Sequence, residues 1–240
     1  MKPFWPAVNK VIKESHIIIE VLDARFPEFT RNVEIEDKIK NKILILVLNK
    51  CDLVNKKEIE AYAKKHNAIF VSARKRLGTT MLKKKIISYS KGFKTVVGVM
   101  GYPNTGKSSL INALAGRKAA KTSPESGYTK GRQLIKMAQG VYLLDTPGVF
   151  PYKEKDEVKH SLTASKDFTK IKDPDLVAME LIELKKDLIK KFYKLKSSDP
   201  EEMLEELGQK FGKLKKGGIV DMDATSKVLL KDWQRGKIKV

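Results

Sequence analysis

The 240-residue sequence contains one cysteine, Cys51. A lone thiol excludes an internal disulfide and any metal site built from several thiolates, and it fits a reducing, cytoplasmic setting. Acidic residues are absent over a long stretch: none occurs between Glu60 and Glu125, where 14 Lys or Arg do. Long apolar runs are absent too. The longest purely aliphatic one, Ile43–Leu48, is far too short to cross a bilayer, so no membrane association is expected. The N-terminus has no apolar stretch ahead of a small-residue cleavage site, so no signal peptide is expected. No internal repeat or low-complexity tract is present.

The net charge is +20, unevenly placed. Residues 1–150 hold 28 Lys and Arg against 12 Asp and Glu, and residues 151–240 hold 21 against 17. Evenly scattered lysine would suit a solubilising surface, as in a heat-adapted protein. Segregation into one half suits a polyanion, because each neutralised phosphate releases counterions. The basic residues Arg74, Lys75, Arg76, Lys83, Lys84 and Lys85 are therefore expected to contact RNA phosphates.

The chain is organised around Gly101-Tyr-Pro-Asn-Thr-Gly-Lys-Ser-Ser109, which reads G-x-x-x-x-G-K-S. Gly101 and Gly106 let the backbone turn tightly against an oxygen-rich ligand. Successive N–H groups then form an anion cradle at a helix start. Lys107 adds a charge for the β- and γ-phosphates, and Ser108 a hydroxyl for Mg²⁺. Asn104, Thr105 and Ser109 belong to the same loop and helix start. The apolar run Thr95–Met100 before the loop and the helical spacing of Ser109–Ala115 after it supply the strand–loop–helix context.

Three further strand ends carry polar motifs. Ile43–Leu48 runs into Asn49-Lys50-Cys51-Asp52, an N-K-x-D sequence. The Asp52 carboxylate can accept two hydrogen bonds from guanine, where adenine offers no donor. Asn49 can contact the base and tie loops together, and the Lys50 stem can cover the base face. Ile69–Val71 opens into Ser72-Ala73-Arg74, where a backbone N–H can meet the guanine carbonyl. Val141–Leu144 ends in Asp145-Thr146-Pro147-Gly148, where Asp145 can hold magnesium through water and the Gly148 N–H can sense a γ-phosphate.

Strands alternating with helices up to this point predict an α/β fold with a mostly parallel sheet. The pattern gives a helix over 3–14, strands Ile17–Leu22, Lys42–Leu48 and Ile69–Val71, and helices over 32–40 and 56–66. A basic helix over Thr79–Ser90 is expected to turn Met81, Leu82, Ile86 and Ile87 inward. Residues 117–131 read as a basic loop, and Gln133–Ala138 pairs with Val141–Leu144 as a hairpin about Gly140. Beyond Phe150 the chain reads as helical. One helix runs from Pro174 with Val177, Leu181, Leu184, Leu188 and Phe192 on its apolar stripe. Another is capped by Asp199, and a last one, carrying Val228, Leu229 and Trp233, by Asp223. The cationic face of residues 185–196 reads most simply as solvated. Domains are placed at 1–160 and 161–240.

Ordinary small GTPases place the phosphate loop first and N-K-x-D late. Here the order is N-K-C-D, S-A-R, G-Y-P-N-T-G-K-S, G-Y-T, D-T-P-G. In that order the chain resembles the circularly permuted GTPases of ribosome assembly, the YlqF/RbgA/nucleostemin group. The resemblance covers nearly the whole sequence, with lesser matches at Val21-Leu22-Asp23-Ala24-Arg25 and at Gly217-Gly218-Ile219-Val220-Asp221. It implies a circularly permuted P-loop GTPase domain followed by a small C-terminal α-helical domain. It also implies binding of GTP and GDP with Mg²⁺, slow hydrolysis, and an rRNA or ribosomal subunit precursor as partner of a monomer. By the resemblance Thr129 joins Ser108 and Asp145 at the metal, Lys107 and Gly148 serve catalysis, and Asn104 matches an asparagine associated with K⁺. Val149 stands where ordinary small GTPases have a water-orienting Gln, so turnover needs help. Some relatives carry a histidine in the N-terminal helix, but Trp5–Lys10 has none, and His16, His66 and His160 lie elsewhere. No general base is named. The competing readings are an RNA-binding scaffold with a mainly structural GTP, and a GTPase acting on tRNA. A P-loop ATPase or kinase is disfavoured by Asn49-Lys50-Cys51-Asp52. The helical domain follows directly on the γ-phosphate sensor, which suits a switch.

Overall fold

The computed structural model describes residues 5–39, 41–90, 94–116, 134–146, 148 and 156–239. The basic loop 117–131 with Thr129, and Val149, lie outside the described residues. The chain divides into two compact units, Met1–Glu154 and Lys155–Val240.

The first unit runs α1 (Trp5–Glu14), β1 (Ile17–Asp23), α2 (Pro27–Thr30), α3 (Val33–Lys38), β2 (Ile43–Asn49), α4 (Glu60–Lys65), β3 (Ile69–Phe70), α5 (Thr79–Ser88), β4 (Thr95–Met100), α6 (Lys107–Ala115), β5 (Leu134–Ala138) and β6 (Val141–Asp145). The strands form one sheet in the order β3-β2-β1-β4-β6-β5. All neighbours are parallel except the β5–β6 hairpin. β1 is central: it pairs with β2 from Ile17↔Ile43 to Asp23↔Asn49 and with β4 from Ile17↔Val97 to Glu20↔Met100. All of its residues are buried, because helices cover both faces, and its sequence is accordingly apolar almost throughout. Ile17, Ile19 and Val21 pack with Leu82, Ile86, Leu110 and Leu114, while Ile18 joins Val8, Val11, Ile35 and Ile39 on the opposite side.

Glu20 interrupts that apolar strand. One carboxyl oxygen accepts from the Asn32 N–H at 2.8 Å, and the other has no hydrogen-bond partner among the described residues. Burial pushes its pKa up to about 8, against the opposing Asn32 bond. Asn32 also caps α3 through its side chain on the Ile35 N–H.

α5 faces the sheet differently from expectation. Leu82 and Ile86 are fully buried, but Met81 and Ile87 are 55% and 47% exposed. The helix presents its Thr79–Leu82–Ile86 edge inward, which rotates the neighbouring apolar positions to either side. Lys84 is exposed, whereas Lys83 and Lys85 are half-buried.

The second unit contains α7 (Glu157–Leu162), α8 (Pro174–Leu184), α9 (Lys186–Tyr193), α10 (Pro200–Phe211) and α11 (Met222–Gln234). It takes in α7 ahead of residue 161, where the helical domain was expected to begin: Trp233 Nε1 donates to the Leu162 carbonyl at 2.8 Å. The single helix expected from Pro174 to Phe192 breaks at Lys185, which leaves helical geometry at φ −135°. The break turns Ile189 inward instead of Leu188 and leaves Leu184 at 40% exposure. Asp199 caps α10 on the Glu201 and Glu202 N–H groups. The cap of α11 is Asp221, which accepts from the Ala224 N–H, and not Asp223, which pairs with Lys227. Asp221 takes that position because its own N–H is already bonded to the Lys213 carbonyl.

Candidate nucleotide-binding site

The carboxyl ends of the parallel strands gather the motifs. β1 ends at Asp23, β2 at Asn49 and β6 at Asp145; β3 leads to Ser72, and β4 into Gly101. The chain builds β1, β2 and β3 toward one edge and β4 and β6 toward the other, so its direction reverses between β1 and β4. Open α/β sheets bind ligands outside the strand ends at such a reversal.

At the phosphate loop, Gly106 caps α6 with φ +96°, and a Cβ there would sit 2.4 Å from the Asn49 side-chain nitrogen. The loop therefore needs glycine both for its turn and for the approach of β2. Thr105 is buried and its hydroxyl donates to the Tyr102 carbonyl at 3.0 Å, while Asn104 holds a left-handed backbone at φ 58°. Lys107 lies inside the loop and donates to the Gly101 and Tyr102 carbonyls at 3.0 and 2.6 Å. Burial pushes its pKa down to about 8, against the pull of Asp145. Ser108 Oγ donates to Asp145 Oδ2 at 3.2 Å, and Asp145 Oδ1 is buried without a partner among the described residues. Burial raises the Asp145 pKa, with Lys107 and the Ser108 bond working the other way. Thr146 pins this strand end by donating to the Val99 carbonyl at 2.7 Å. Gly148 lies against the loop, where a Cβ would come within 2.7 Å of Pro103 Cα. Ser109 is half-buried in the first turn of α6.

The donor set fits Mg²⁺. A hydroxyl and a buried carboxylate oxygen with no partner among the described residues stand together at the loop, and both are hard oxygen donors. Magnesium is commonly held by one or two such groups completed by water and substrate phosphates.

At the base end, Asn49 ties two loops together, as expected. Its Nδ2 donates to the Thr105 carbonyl at 2.8 Å, and its Oδ1 accepts from the Ala73 N–H at 3.0 Å. The Ala73 N–H is thereby used within the protein, and the Arg74 N–H is the one without a protein partner among the described residues. Ser72 Oγ accepts from the Lys75 N–H at 3.1 Å, and Ser72 exchanges backbone bonds with Leu77, which closes the S-A-R turn. Arg74, Lys75 and Arg76 are exposed on that turn. Asp52 follows Lys50 in a short 3₁₀ turn, with Lys75 Nζ 3.7 Å from its carboxylate.

Sequence reasoning gave Asp23 and Arg25 no role in the site. Lys50 has a left-handed backbone at φ 62°, and its ammonium reaches back to Asp23 Oδ2 at 2.8 Å. The Arg25 guanidinium grips the same carboxylate at 3.0 and 2.7 Å. Burial opposes charge on Asp23, but the two cations outweigh it and hold the carboxyl well below the usual range. The Lys50 stem is thus fixed from beneath. The available signal was the Asp-Ala-Arg triplet at a buried strand end, whose partner 27 residues later only strand register identifies.

Of the histidines, His16 Nδ1 accepts from the Val96 N–H at the start of the sheet, and His66 lies tilted against Tyr62 beside Arg31. His160 belongs to α7 of the second unit. Among the described residues no helix is long and apolar enough to cross a membrane.

The model of a family described as 50S ribosome-binding GTPase matches residues 96–213, and that of the RsgA GTPase family matches residues 33–153. The chain is 39% identical to an uncharacterized GTP-binding protein of Methanocaldococcus jannaschii, over 98% of this chain and 66% of that protein. It is 35% identical to nuclear/nucleolar GTPase 2 of Arabidopsis thaliana, over 99% of this chain and 44% of that one. These relatives are longer: the chain spans between 44% and 66% of their length. Among solved structures, GNP-bound YlqF from T. maritima superposes with a TM-score of 0.70 at 26% identity, covering 98% of this chain and 94% of that one.

Proposed function

Because the chain belongs to the circularly permuted GTPases of the YlqF and nucleostemin type, we propose that it binds GTP at these strand ends and hydrolyses it slowly to GDP and phosphate. On this reading it is a nucleotide-controlled switch in the assembly of a ribosomal subunit, acting as a monomer in the cytoplasm. The observation that carries the nucleotide part is Asn49, one amide that binds the phosphate loop through Thr105 and the base loop through Ala73. A single side chain thus spaces the two recognition elements.

The roles follow from placement. Asp52 accepts from the guanine ring N–H and amine, the Lys50 stem covers a base face, and the Arg74 N–H meets the carbonyl. Lys107 leaves the Gly101 and Tyr102 carbonyls for phosphate oxygens, which raises its depressed pKa. Ser108 and Asp145, with Thr129, would hold Mg²⁺, which would supply positive charge against the phosphate oxygens. The Gly148 N–H senses the γ-phosphate, and Asn104 is the residue for a K⁺. Val149 brings no side-chain donor to orient water, so turnover is slow without a partner.

The partner is rRNA or a ribosomal precursor, and the support for this is the basic surface of Arg74, Lys75, Arg76 and Lys84 beside the base loop. The test is hydrolysis of GTP by the full chain, alone and with purified ribosomal subunits, together with subunit affinity in a non-hydrolysable GTP analogue and in GDP. The reading expects acceleration by one subunit and an affinity that depends on the nucleotide. Equal affinity in both nucleotides, with no acceleration, leaves an RNA-binding scaffold in which GTP is structural. Acceleration by tRNA alone moves the protein to a different substrate.

A further inference from the structure

Between α10 and α11 the chain forms a tight hairpin, Lys213-Leu-Lys-Lys-Gly-Gly-Ile-Val220. Leu214 and Val220 pair as an antiparallel bridge. The Lys215 N–H donates to the Ile219 carbonyl at 2.7 Å, the Gly218 N–H to the Lys215 carbonyl at 3.2 Å, and the Asp221 N–H to the Lys213 carbonyl at 2.8 Å. Gly217 and Gly218 take positive φ of 86° and 78°, which an L side chain adopts at a cost. The base of the hairpin is clamped, since Val220 lies so close to Gly208 of α10 that a Cβ there would meet it at 2.2 Å. The hairpin is therefore a preformed projection.

Its tip is unusual for a surface turn. All residues from Leu214 to Gly218 are exposed, with Leu214 at 50%, and Ile219 reaches 68%. A Cβ placed on Gly217 or Gly218 would meet nothing within 4 Å, so the tip stands in open space. It carries Lys213, Lys215 and Lys216 and no acid, and none of these lysines has a carboxylate partner among the described residues. Solvation explains the lysines but not two exposed aliphatic side chains on a turn that hydrogen bonds already fix. A protein partner with an acidic face would suit the lysines alone. The mixture of cations, apolar side chains and a side-chain-free glycine tip suits the wide, shallow minor groove of an RNA helix. There, sugars offer apolar edges and 2′-hydroxyls between two rows of phosphates.

We propose that the 213–220 hairpin is an RNA-docking element of the second unit, with Lys215 and Lys216 on phosphates and Leu214 and Ile219 against the sugar edges of an RNA helix. This rests on the RNA-binding part of the proposed function and names the segment and binding mode that serve it.

The experiment is a salt titration of the full chain with a fluorescein-labelled RNA stem-loop and, in parallel, with purified ribosomal subunits. The chains are the parent, the pair Lys215→Ala with Lys216→Ala, and Ile219→Ser. The lysine pair is expected to lower the slope of log affinity against log salt by about 2, close to one for each phosphate that is no longer neutralised. Ile219→Ser is expected to weaken binding about tenfold with the slope unchanged, since it removes apolar surface and no charge. GTP affinity and the unfolding midpoint should stay at the parent's values, because these side chains are exposed and outside the nucleotide site. If the parent binds the stem-loop in a salt-dependent way and both variants match it, the hairpin assignment is wrong and the RNA reading stands. If both variants lose affinity for subunits only, the hairpin docks a ribosomal protein and the proposal is overturned. If the parent binds no RNA at any salt, the RNA reading itself fails.

Discussion

At the base end of the nucleotide site, both polar atoms of Asn49 are bonded to neighbouring loops and Asp23 holds two cations; at the phosphate end, Lys107 rests on carbonyls of its own loop and one oxygen of Asp145 is buried without a partner among the described residues. The first arrangement is complete in the protein itself. On the proposed reading, the second is completed by a ligand that brings anionic oxygens to Lys107 and a cation to Asp145. On that reading the base end is preorganised to discriminate, whereas the phosphate end exchanges internal bonds for ligand bonds.

The largest expected effect lies at the end that waits for its ligand. Lys107→Ala removes the one buried ammonium of the loop and with it two charge-assisted bonds, on the order of 3–6 kcal/mol. Isothermal titration with GTP should show binding weaker by roughly a hundredfold to ten-thousandfold, while the unfolding midpoint changes little, since in the free protein Lys107 bonds only to the Gly101 and Tyr102 carbonyls, and the Tyr102 carbonyl keeps the Thr105 hydroxyl. A fold that collapses instead would mean that the phosphate end is as self-complete as the base end.

The converse applies to Asp23. Asp23→Asn leaves Lys50 and Arg25 without their shared counter-charge, and breaking a buried pair from one side costs roughly 3–5 kcal/mol of stability. Chemical denaturation of the free protein should register that loss without any nucleotide present. GTP affinity measured on the remaining folded protein should also fall, because the Lys50 stem is no longer held. Unchanged stability would break the contrast between a satisfied base end and an unsatisfied phosphate end.

A further effect, visible only as pH changes, concerns Glu20, three residues before Asp23 on the same strand and opposite in its electrostatics. Its folded pKa is raised to about 8, above that of the unfolded chain. Below about pH 4.5 both states hold the proton; as pH rises toward 8 only the folded state does, so stability falls by up to about 1.4 kcal/mol per pH unit. Asp23, with its lowered pKa, acts in the reverse sense at acid pH. Glu20→Gln should flatten the decline between about pH 5 and pH 8 in urea titrations, and an equally steep decline in the variant would assign it to other groups.

How much of this was legible follows from the range of each feature. The strand–loop–helix at Thr95–Ala115 and the polar turn at Asn49–Asp52 are short segments whose residue types dictate their own backbone, so the sequence sufficed for them. So did the tie between loops at Asn49. The Asp23–Lys50–Arg25 group was not legible, because it depends on the β1–β2 register that places Asp23 beside Asn49. The orientation of α5 was not, because Met81, Leu82, Ile86 and Ile87 cover too wide an arc for one helix face to bury. The apolar spacing from Val177 to Phe192 continues across Lys185, so nothing in it announced the break there. Asp221 and Asp223 are equally good caps by type, and the hairpin bond to Lys213 decides between them.

The central claim is that this preorganised end reads guanine through Asp52. Its most direct test is titration of the parent and of Asp52→Asn with GTP, ATP and xanthosine triphosphate in the presence of Mg²⁺. The parent should bind GTP and reject ATP. The variant should lose about 2–4 kcal/mol of GTP affinity, the cost of a buried polar group left unpaired, and gain affinity for the xanthine nucleotide, whose carbonyl accepts from the new amide. Equal GTP binding by the two chains, or ATP binding as tight as GTP in the parent, would contradict it.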